Sequence, residues 1–307
     1  MSLLPEIDEL LELRHRAHAV GLGAHHRVAS ALSGLYASVF RGQGMDFEEA
    51  REYREGDEIR NMDWRVTART GVPHLKVFRE ERERAVLLCV DVGPHMAFGT
   101  RGTFKSVQAA RVAALLGWSA SINRDRVGAL LYGDPDRGMQ FLPPSRSRRS
   151  FWRMLQALSE ARENRGSSAD EALYGALDKV TRGTPTGGLV FLVGDYNRDP
   201  APIQTLLGRL VQRHEVVVIP IDDPADHEIP DIGRVVFTAP GGQRVEVDTG
   251  SEEGRFHYRR AWEGHRRALE ELCANLGALM IPVTTRDDAE EVLIQGLRRR
   301  RRHLVRR

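Results

Sequence analysis

Arg84-Ala-Val-Leu-Leu-Cys-Val-Asp91 decides how the chain folds. Residues 85–90 are apolar without a break, and the run stops at a carboxylate. A continuous apolar run of this length fits a strand buried on both faces, as in a parallel sheet. A helix is predicted next, because Phe104, Val107, Ala110, Arg111, Ala114, Leu115 and Trp118 recur at helical spacing. A second apolar strand, Gly188-Leu-Val-Phe-Leu-Val-Gly-Asp195, also ends in Asp. Two buried strands of this kind put two carboxylates on one rim of the sheet, where open α/β sheets bind their ligands.

Outward from this pair, strands are predicted over residues 126–132, 139–143 and 215–221, with the second at an edge because Pro143 and Pro144 end it. Helices are predicted over 147–162, 170–180 and 203–213. Strands alternating with helices mean an α/β fold with a doubly wound, mostly parallel sheet. Beyond it come short strands over 234–238 and 243–247, a charged helix over 255–276, a strand over 279–284 and a final Arg-rich helix. Upstream, helices are predicted over 5–20 and 25–40, and Gly42-Gln-Gly44 breaks the second. Residues 45–84 crowd charges of both signs between turn signals, which reads as a small strand-rich lobe. Two domains are expected: 1–83, N-terminal helices with the lobe, and 84–307, the α/β domain with a C-terminal extension.

With 307 residues, 41% hydrophobic and 29% charged, neither a disordered nor a membrane protein is indicated. No apolar stretch approaches the roughly 18–20 residues of a spanning helix. Glu6, Asp8, Glu9 and Glu12 are foreign to a signal peptide. Cys89 and Cys273 fall in predicted buried elements and read as free thiols of a reducing compartment, so the cytoplasm is expected. The net charge of +2 conceals seven arginines between 298 and 307, without which 38 basic residues face 43 acidic ones. That tail reads as a solvated helix end complementing the helix dipole, or as a contact for an anionic partner. Nucleic acid is not an expected partner.

Gly42-x-Gly44-Met-Asp46-Phe47, followed by Arg51-Glu-Tyr53-x-x-Gly56-Asp57-x-x-Arg60-x-x-Asp63-Trp64-x-x-Thr67-Ala68-Arg69, closely resembles the signature of domain of unknown function 58. Asp223-Pro224-x-Asp226-x-x-Ile229-Pro230, Val247-Asp248-Thr249 and Arg255-x-x-Tyr258 also fit that family, so the likeness spans nearly the whole chain. The resemblance implies a von Willebrand factor A-like core and partnership with a MoxR-type AAA+ ATPase. Many relatives begin with two membrane helices, and this chain resembles the shorter branch without them.

Such cores usually hold a divalent cation in a metal-ion-dependent adhesion site that starts Asp-x-Ser-x-Ser. Here the stretch is Asp91-Val-Gly93-Pro-His95, so both serines are gone. Where a threonine is expected, spacing points to Glu171, and the later aspartate is Asp195. Asp91, His95, Glu171 and Asp195 are therefore a degenerate metal site. Mg²⁺ wants a near-octahedral oxygen shell, and imidazole suits it poorly. Either the carboxylates retain an ion with waters, or they accept backbone N–H bonds and no cofactor is bound. Without an ion, the rim is expected to be acidic.

Gly99-Thr-Arg-Gly-Thr-Phe104-Lys105-Ser106 nearly spells a P-loop, but Phe104 replaces its second glycine, and the loop starts eight residues after Asp91 instead of directly. His15, His18, His25 and His26 read as surface histidines. Asp222, Asp223, Asp226 and Glu228 read as solvated loop acids, with Ca²⁺ binding as the sharper alternative. The signature residues Arg51, Tyr53, Gly56, Asp57, Arg60, Asp63, Trp64 and Arg69 either fasten the lobe through ion pairs or present a recognition surface. The expected function is a non-enzymatic cytosolic adaptor, partner of a MoxR-type ATPase in the assembly or maturation of a client protein. A binding module that keeps its divalent cation, and a P-loop-like NTPase, are the alternatives.

Overall fold

The computed structural model describes residues 4–22, 45–53, 62–80, 84–160, 169–184, 186–238 and 244–304. Helix α1 (Ile7–Glu12) passes into two 3-10 turns, Leu13–His15 and Ala17–Val20. The helix expected over 5–20 therefore tightens after Glu12. Leu10, Leu13, Ala17 and Val20 are all buried, so the segment keeps one face on the core through the change to 3-10 turns. The helix expected over 25–40 lies outside the described residues.

Next come β1 (Met45–Glu52), α2 (Trp64–Thr70) and β2 (His74–Glu80), then β3 (Ala85–Asp91), α3 (Lys105–Ile122), β4 (Arg126–Asp134), β5 (Gly138–Ser145), α4 (Arg148–Ser159) and α5 (Ala169–Gly183). The chain continues through β6 (Leu189–Gly194), α6 (Gln204–Arg213), β7 (Glu215–Asp222), α7 (Pro224–His227), β8 (Arg234–Thr238) and β9 (Arg244–Asp248). It closes with α8 (Glu252–Leu276), β10 (Leu279–Met280), β11 (Val283–Thr284) and α9 (Ala289–Leu304).

Among the described residues, seven strands form the main sheet in the order β10-β7-β6-β3-β4-β5, with β11 also on β7. All neighbours are parallel except β5, which runs antiparallel along β4 at the edge. The chain leaves β3 toward β4, then returns to its other side as β6, so the order reverses between β3 and β6. Such a reversal opens a crevice at the carboxyl ends of the two strands. Both faces are covered. Val86, Leu88 and Val90 pack with α1, α3, α4 and α9, while Leu87 and Cys89 pack with α5, α6 and α8. Two-sided burial explains the unbroken apolar run. The core is thus the doubly wound, mostly parallel α/β sheet that the alternation of strands and helices implies. Cys89 and Cys273 are both buried and free. The strand expected over 279–284 is split at Pro282, which has no N–H for the ladder.

The chain divides into two compact units, residues 1–28 with 84–307, and 29–83. This corrects the boundary drawn at 1–83, because the first elements share the core of the α/β unit. Trp118 Nε1 donates to the Leu10 carbonyl at 2.9 Å, and Leu22 N donates to Ser119 Oγ at 3.4 Å. Within the smaller unit, β1 and β2 pair antiparallel. Helix α2 was not expected there. Asp63 caps it, accepting from Arg65 N at 3.1 Å and Val66 N at 3.2 Å, and Gly71 ends it at φ +74°.

The shared core makes a prediction. Leu10 is fully buried, so Leu10→Ala should destabilise the α/β unit by about 2–5 kcal/mol. Urea unfolding followed by Trp fluorescence measures this. An unchanged midpoint would return the N-terminal segment to the smaller unit.

Candidate functional site

The carboxyl rim is built by the ends of β3, β6 and β7 and by the start of α3. Asp91 closes β3 and is 2% exposed. Its Oδ1 accepts from Gly93 N at 2.9 Å, and its Oδ2 lies 3.0 Å from His95 Nε2. The two departures from Asp-x-Ser-x-Ser depend on each other. A Cβ at position 93 would lie 2.6 Å from His95 Cε1, so the imidazole reaches Asp91 because residue 93 has no side chain. Gly194 serves the same corner, since a Cβ there would come within 2.7 Å of Asp91 Cβ.

Lys105, the first residue of α3, sits one strand further along, 2% exposed. Its Nζ is 2.7 Å from Asp195 Oδ2 and 2.7 Å from Asp226 Oδ2, and 5.5 Å from the centre of the Phe98 ring. Asp195 follows β6 and also accepts from Asn197 N at 2.8 Å. Asp226 lies in α7 and accepts from Asp223 N at 2.6 Å. Asp223 accepts from Thr100 N at 2.9 Å and Thr285 Oγ1 at 2.7 Å. Asp222, at the end of β7, is held by the Arg266 guanidinium of α8.

Burial by itself lowers the pKa of Lys105, but Asp195 and Asp226 outweigh it and hold the ammonium above the ordinary lysine value. Burial raises Asp195, yet the Lys105 charge and the Asn197 N–H bring it below the usual carboxylate range. Burial dominates at Asp226, which ends above that range although it faces the same ammonium. One cation shared by two carboxylates leaves a net negative charge, and this splits their titrations. Burial pushes Asp222 up to about 6 against the pull of Arg266. Burial lowers His95, and Asp91 more than compensates, so the imidazole charges more easily than a free one.

This donor set does not fit a divalent cation. Both Asp91 oxygens are turned to Gly93 N and His95, and both Asp195 oxygens to Asn197 N and Lys105. Lys105 supplies the positive charge an ion would bring. Glu171 is exposed on the first turn of α5. Among the described residues, no group of three His, Cys, Asp or Glu is arranged to hold a metal, so Glu171 does not join Asp91, His95 and Asp195. Lys105 and Arg266 sit inside the cluster, but Asp91, Asp195, Asp222, Asp223 and Asp226 outnumber them, so the cluster keeps the net negative charge expected of the rim. Three of the four loop acids are not solvated: Asp222, Asp223 and Asp226 are buried and bonded, whereas Glu228 is exposed and pairs with Arg259 at 2.5 Å.

The P-loop likeness dissolves in the same geometry. Lys105 is enclosed by carboxylates, where a P-loop lysine reaches phosphates. A Cβ on Gly99 would meet Thr103 O at 2.2 Å, so that glycine serves close packing of the loop. His15 and His18 are exposed, and His25 and His26 lie outside the described residues.

Of the signature residues, Asp63 is the α2 cap, Trp64 is 68% exposed, Arg69 is exposed and Tyr53 is half-buried. Trp64 therefore does not serve as core. Arg51 pairs across the sheet with Leu75. Gly56, Asp57 and Arg60 lie outside the described residues. The later family motifs converge: Thr249 Oγ1 donates to Gly233 O at 2.6 Å, Arg255 Nη1 to Thr249 O at 2.5 Å, and Tyr258 Oη to Ala225 O at 3.1 Å.

Sequence reasoning read Lys105 only as a broken phosphate loop, and missed Asp226 and Arg266 as its companions. A signal was present. The chain has three lysines, Lys76, Lys105 and Lys179, among 45 basic residues. One of the three opens an apolar helix, where the dipole disfavours a cation. A lysine there requires carboxylates from elsewhere in the fold.

The family profile described as protein of unknown function DUF58 matches residues 49–268. An uncharacterized protein of Mycobacterium tuberculosis and one of Mycobacterium bovis are each 28% identical to this chain over 282 residues, covering 92% of it and 87% of the relative. Among solved structures, an aerotolerance-related membrane protein from Bacteroides fragilis is similar over 70% of this chain and 97% of its own, at 14% identity and a TM-score of 0.40. The SpRpn10 VWA domain is similar over 69% and 94%, at 12% identity and a TM-score of 0.36.

The triad carries a sign-specific prediction. Lys105→Met leaves Asp195 and Asp226 buried without their cation, which should cost about 3–5 kcal/mol near neutral pH. Both carboxyls would then titrate above their unfolded value of about 3.9. The folded variant binds the extra protons, so its stability falls as pH rises above about 4, and the deficit shrinks below it. Adding Asp226→Asn should recover part of the loss. Urea unfolding at a series of pH values checks this, and a pH-independent deficit would rule the account out.

Proposed function

The chain belongs to the DUF58 family, and on that premise we propose that it is a non-enzymatic, cytosolic interaction module whose partner is a MoxR-type AAA+ ATPase. The observation that carries the non-enzymatic part is the closure of the rim. Lys105 is held by Asp195 and Asp226, Arg266 by Asp222, and His95 by Asp91. Charged groups engaged on one another in this way position loops and are withheld from substrate. The ATPase as partner rests on the family resemblance, and assembly or maturation of a client protein would be the shared task. Buried free thiols at Cys89 and Cys273 fit a reducing compartment. No helix among the described residues is long and apolar enough to cross a membrane.

In this reading the module binds without a divalent cation of its own. An ion at 100 times its dissociation constant would add about 2.7 kcal/mol to stability. Thermal melting should therefore be the same in EDTA and in millimolar Mg²⁺, Mn²⁺ or Ca²⁺. A rise of several degrees that Asp91→Ala abolishes would restore the metal-dependent alternative.

Docking is assigned to the loop after β6, which presents exposed Asp199 beside half-buried Asn197 and Arg198 on the rim. Titration calorimetry with the MoxR-type ATPase of the same cell tests it. Asp199→Arg should weaken binding about tenfold or more, through unfavourable charge contact, with Arg69→Glu as wild type. The reverse pattern would move the interface to the signature lobe. No binding at all would remove the ATPase from the proposal.

A further inference from the structure

At the end of the sheet opposite the rim, the start of β4 and the end of α3 border a cleft of about 820 Å³. Five arginines line it: Arg14, Arg124, Arg146, Arg148 and Arg149. The one carboxylate among the lining residues is Asp125, which is buried. Among the described residues, Arg14, Arg124, Arg148 and Arg149 have no carboxylate partner, and all four are exposed. Arg14 instead stacks over Trp118 at 5.8 Å. The floor is apolar, made by Leu11, Phe151 and Leu155, and Trp152 at its border is 47% exposed. Trp118 and Phe151 lock each other edge to face at 4.5 Å.

The cleft itself points to the size of the occupant. A cleft of about 820 Å³ takes in a short acidic segment, whereas a long polyanion would run beyond its arginines. Guanidinium groups pair with planar carboxylates through two parallel hydrogen bonds, which selects Asp and Glu. An apolar floor between such groups takes one buried anchor side chain. Arg124 adds to the argument. It holds φ +62°, a conformation that glycine adopts freely and arginine adopts at a cost.

We infer that this cleft binds a short acidic segment of a partner protein, carrying one apolar anchor residue. The site is separate from the rim and independent of the function proposed there. The probe is a fluorescein-labelled peptide, Glu-Glu-Asp-Phe-Glu-Asp-Glu, followed by anisotropy with the full chain. Saturable binding should weaken as salt rises, and by about tenfold or more in the Arg148→Glu, Arg149→Glu double variant, through charge reversal. Asp199→Arg should leave it unchanged, which separates this site from the rim. Arg124→Gly should weaken binding while matching or exceeding wild-type stability, so loss of fold cannot mimic the result. Replacing the peptide's Phe by Ser should also weaken it. Absence of binding, or binding indifferent to the double variant, overturns the inference. So does full displacement by millimolar inorganic phosphate, which marks a simple anion site, or tighter binding of a short DNA duplex.

Discussion

An ammonium group that is 2% exposed stays charged only where carboxylates replace the water it has lost. Lys105 meets that condition with Asp195 and Asp226, which arrive from different segments of the chain. One follows β6, the other sits in the turn of helix after β7, and the lysine itself starts α3. The contact therefore ties three crossovers of the doubly wound sheet together at their common rim. Removing Lys105 leaves two buried carboxylates uncompensated, which costs more than the intact set contributes. The rim is held as a unit for that reason, and the surrounding bonds from Thr100, Thr285 and Arg266 extend the same logic to Asp223 and Asp222.

Gly93 and His95 show how a rim of this kind is rebuilt. A hydroxyl side chain at 93 would collide with the imidazole, so the two positions change together. Asp91 then keeps its inward bond to Gly93 N and gains a titratable neighbour. Asp91 and Asp195 still sit on either side of the switch point, where an open sheet presents its binding crevice. Their partners in the structure are protein groups: Gly93 N and His95 for Asp91, Asn197 N and Lys105 for Asp195.

Much of this was legible beforehand. The unbroken run from Ala85 to Val90 identified a strand covered on both faces, and the Asp at the end of each buried strand located the rim. Local signals failed where tertiary packing decided the outcome. Residues 5–20 carry a helical pattern, but only Ile7–Glu12 is α-helix and the rest runs as 3-10 turns, with Leu10, Leu13 and Val20 all buried. Helix α2 was hidden in a charge-rich stretch, although Asp63 before Trp64 is an ordinary cap. Lys105 was the main omission, because its partners lie 90 and 121 residues away in sequence and no local pattern joins them. The cleft was invisible for the same reason: Arg14, Arg124 and Arg148 come from three separate segments.

The account stands on the charge state and enclosure of one amine, and the scarcity of lysine makes that amine directly observable. With Nζ-labelled lysine, nitrogen NMR should show three ammonium signals, one each for Lys76, Lys105 and Lys179. The account predicts that the Lys105 signal exchanges slowly with water, stays protonated above the ordinary lysine pKa of about 10.4, and does not move when millimolar Mg²⁺ is added. A Lys105 signal that exchanges like the other two, titrates at or below that value, or shifts with Mg²⁺ would contradict it.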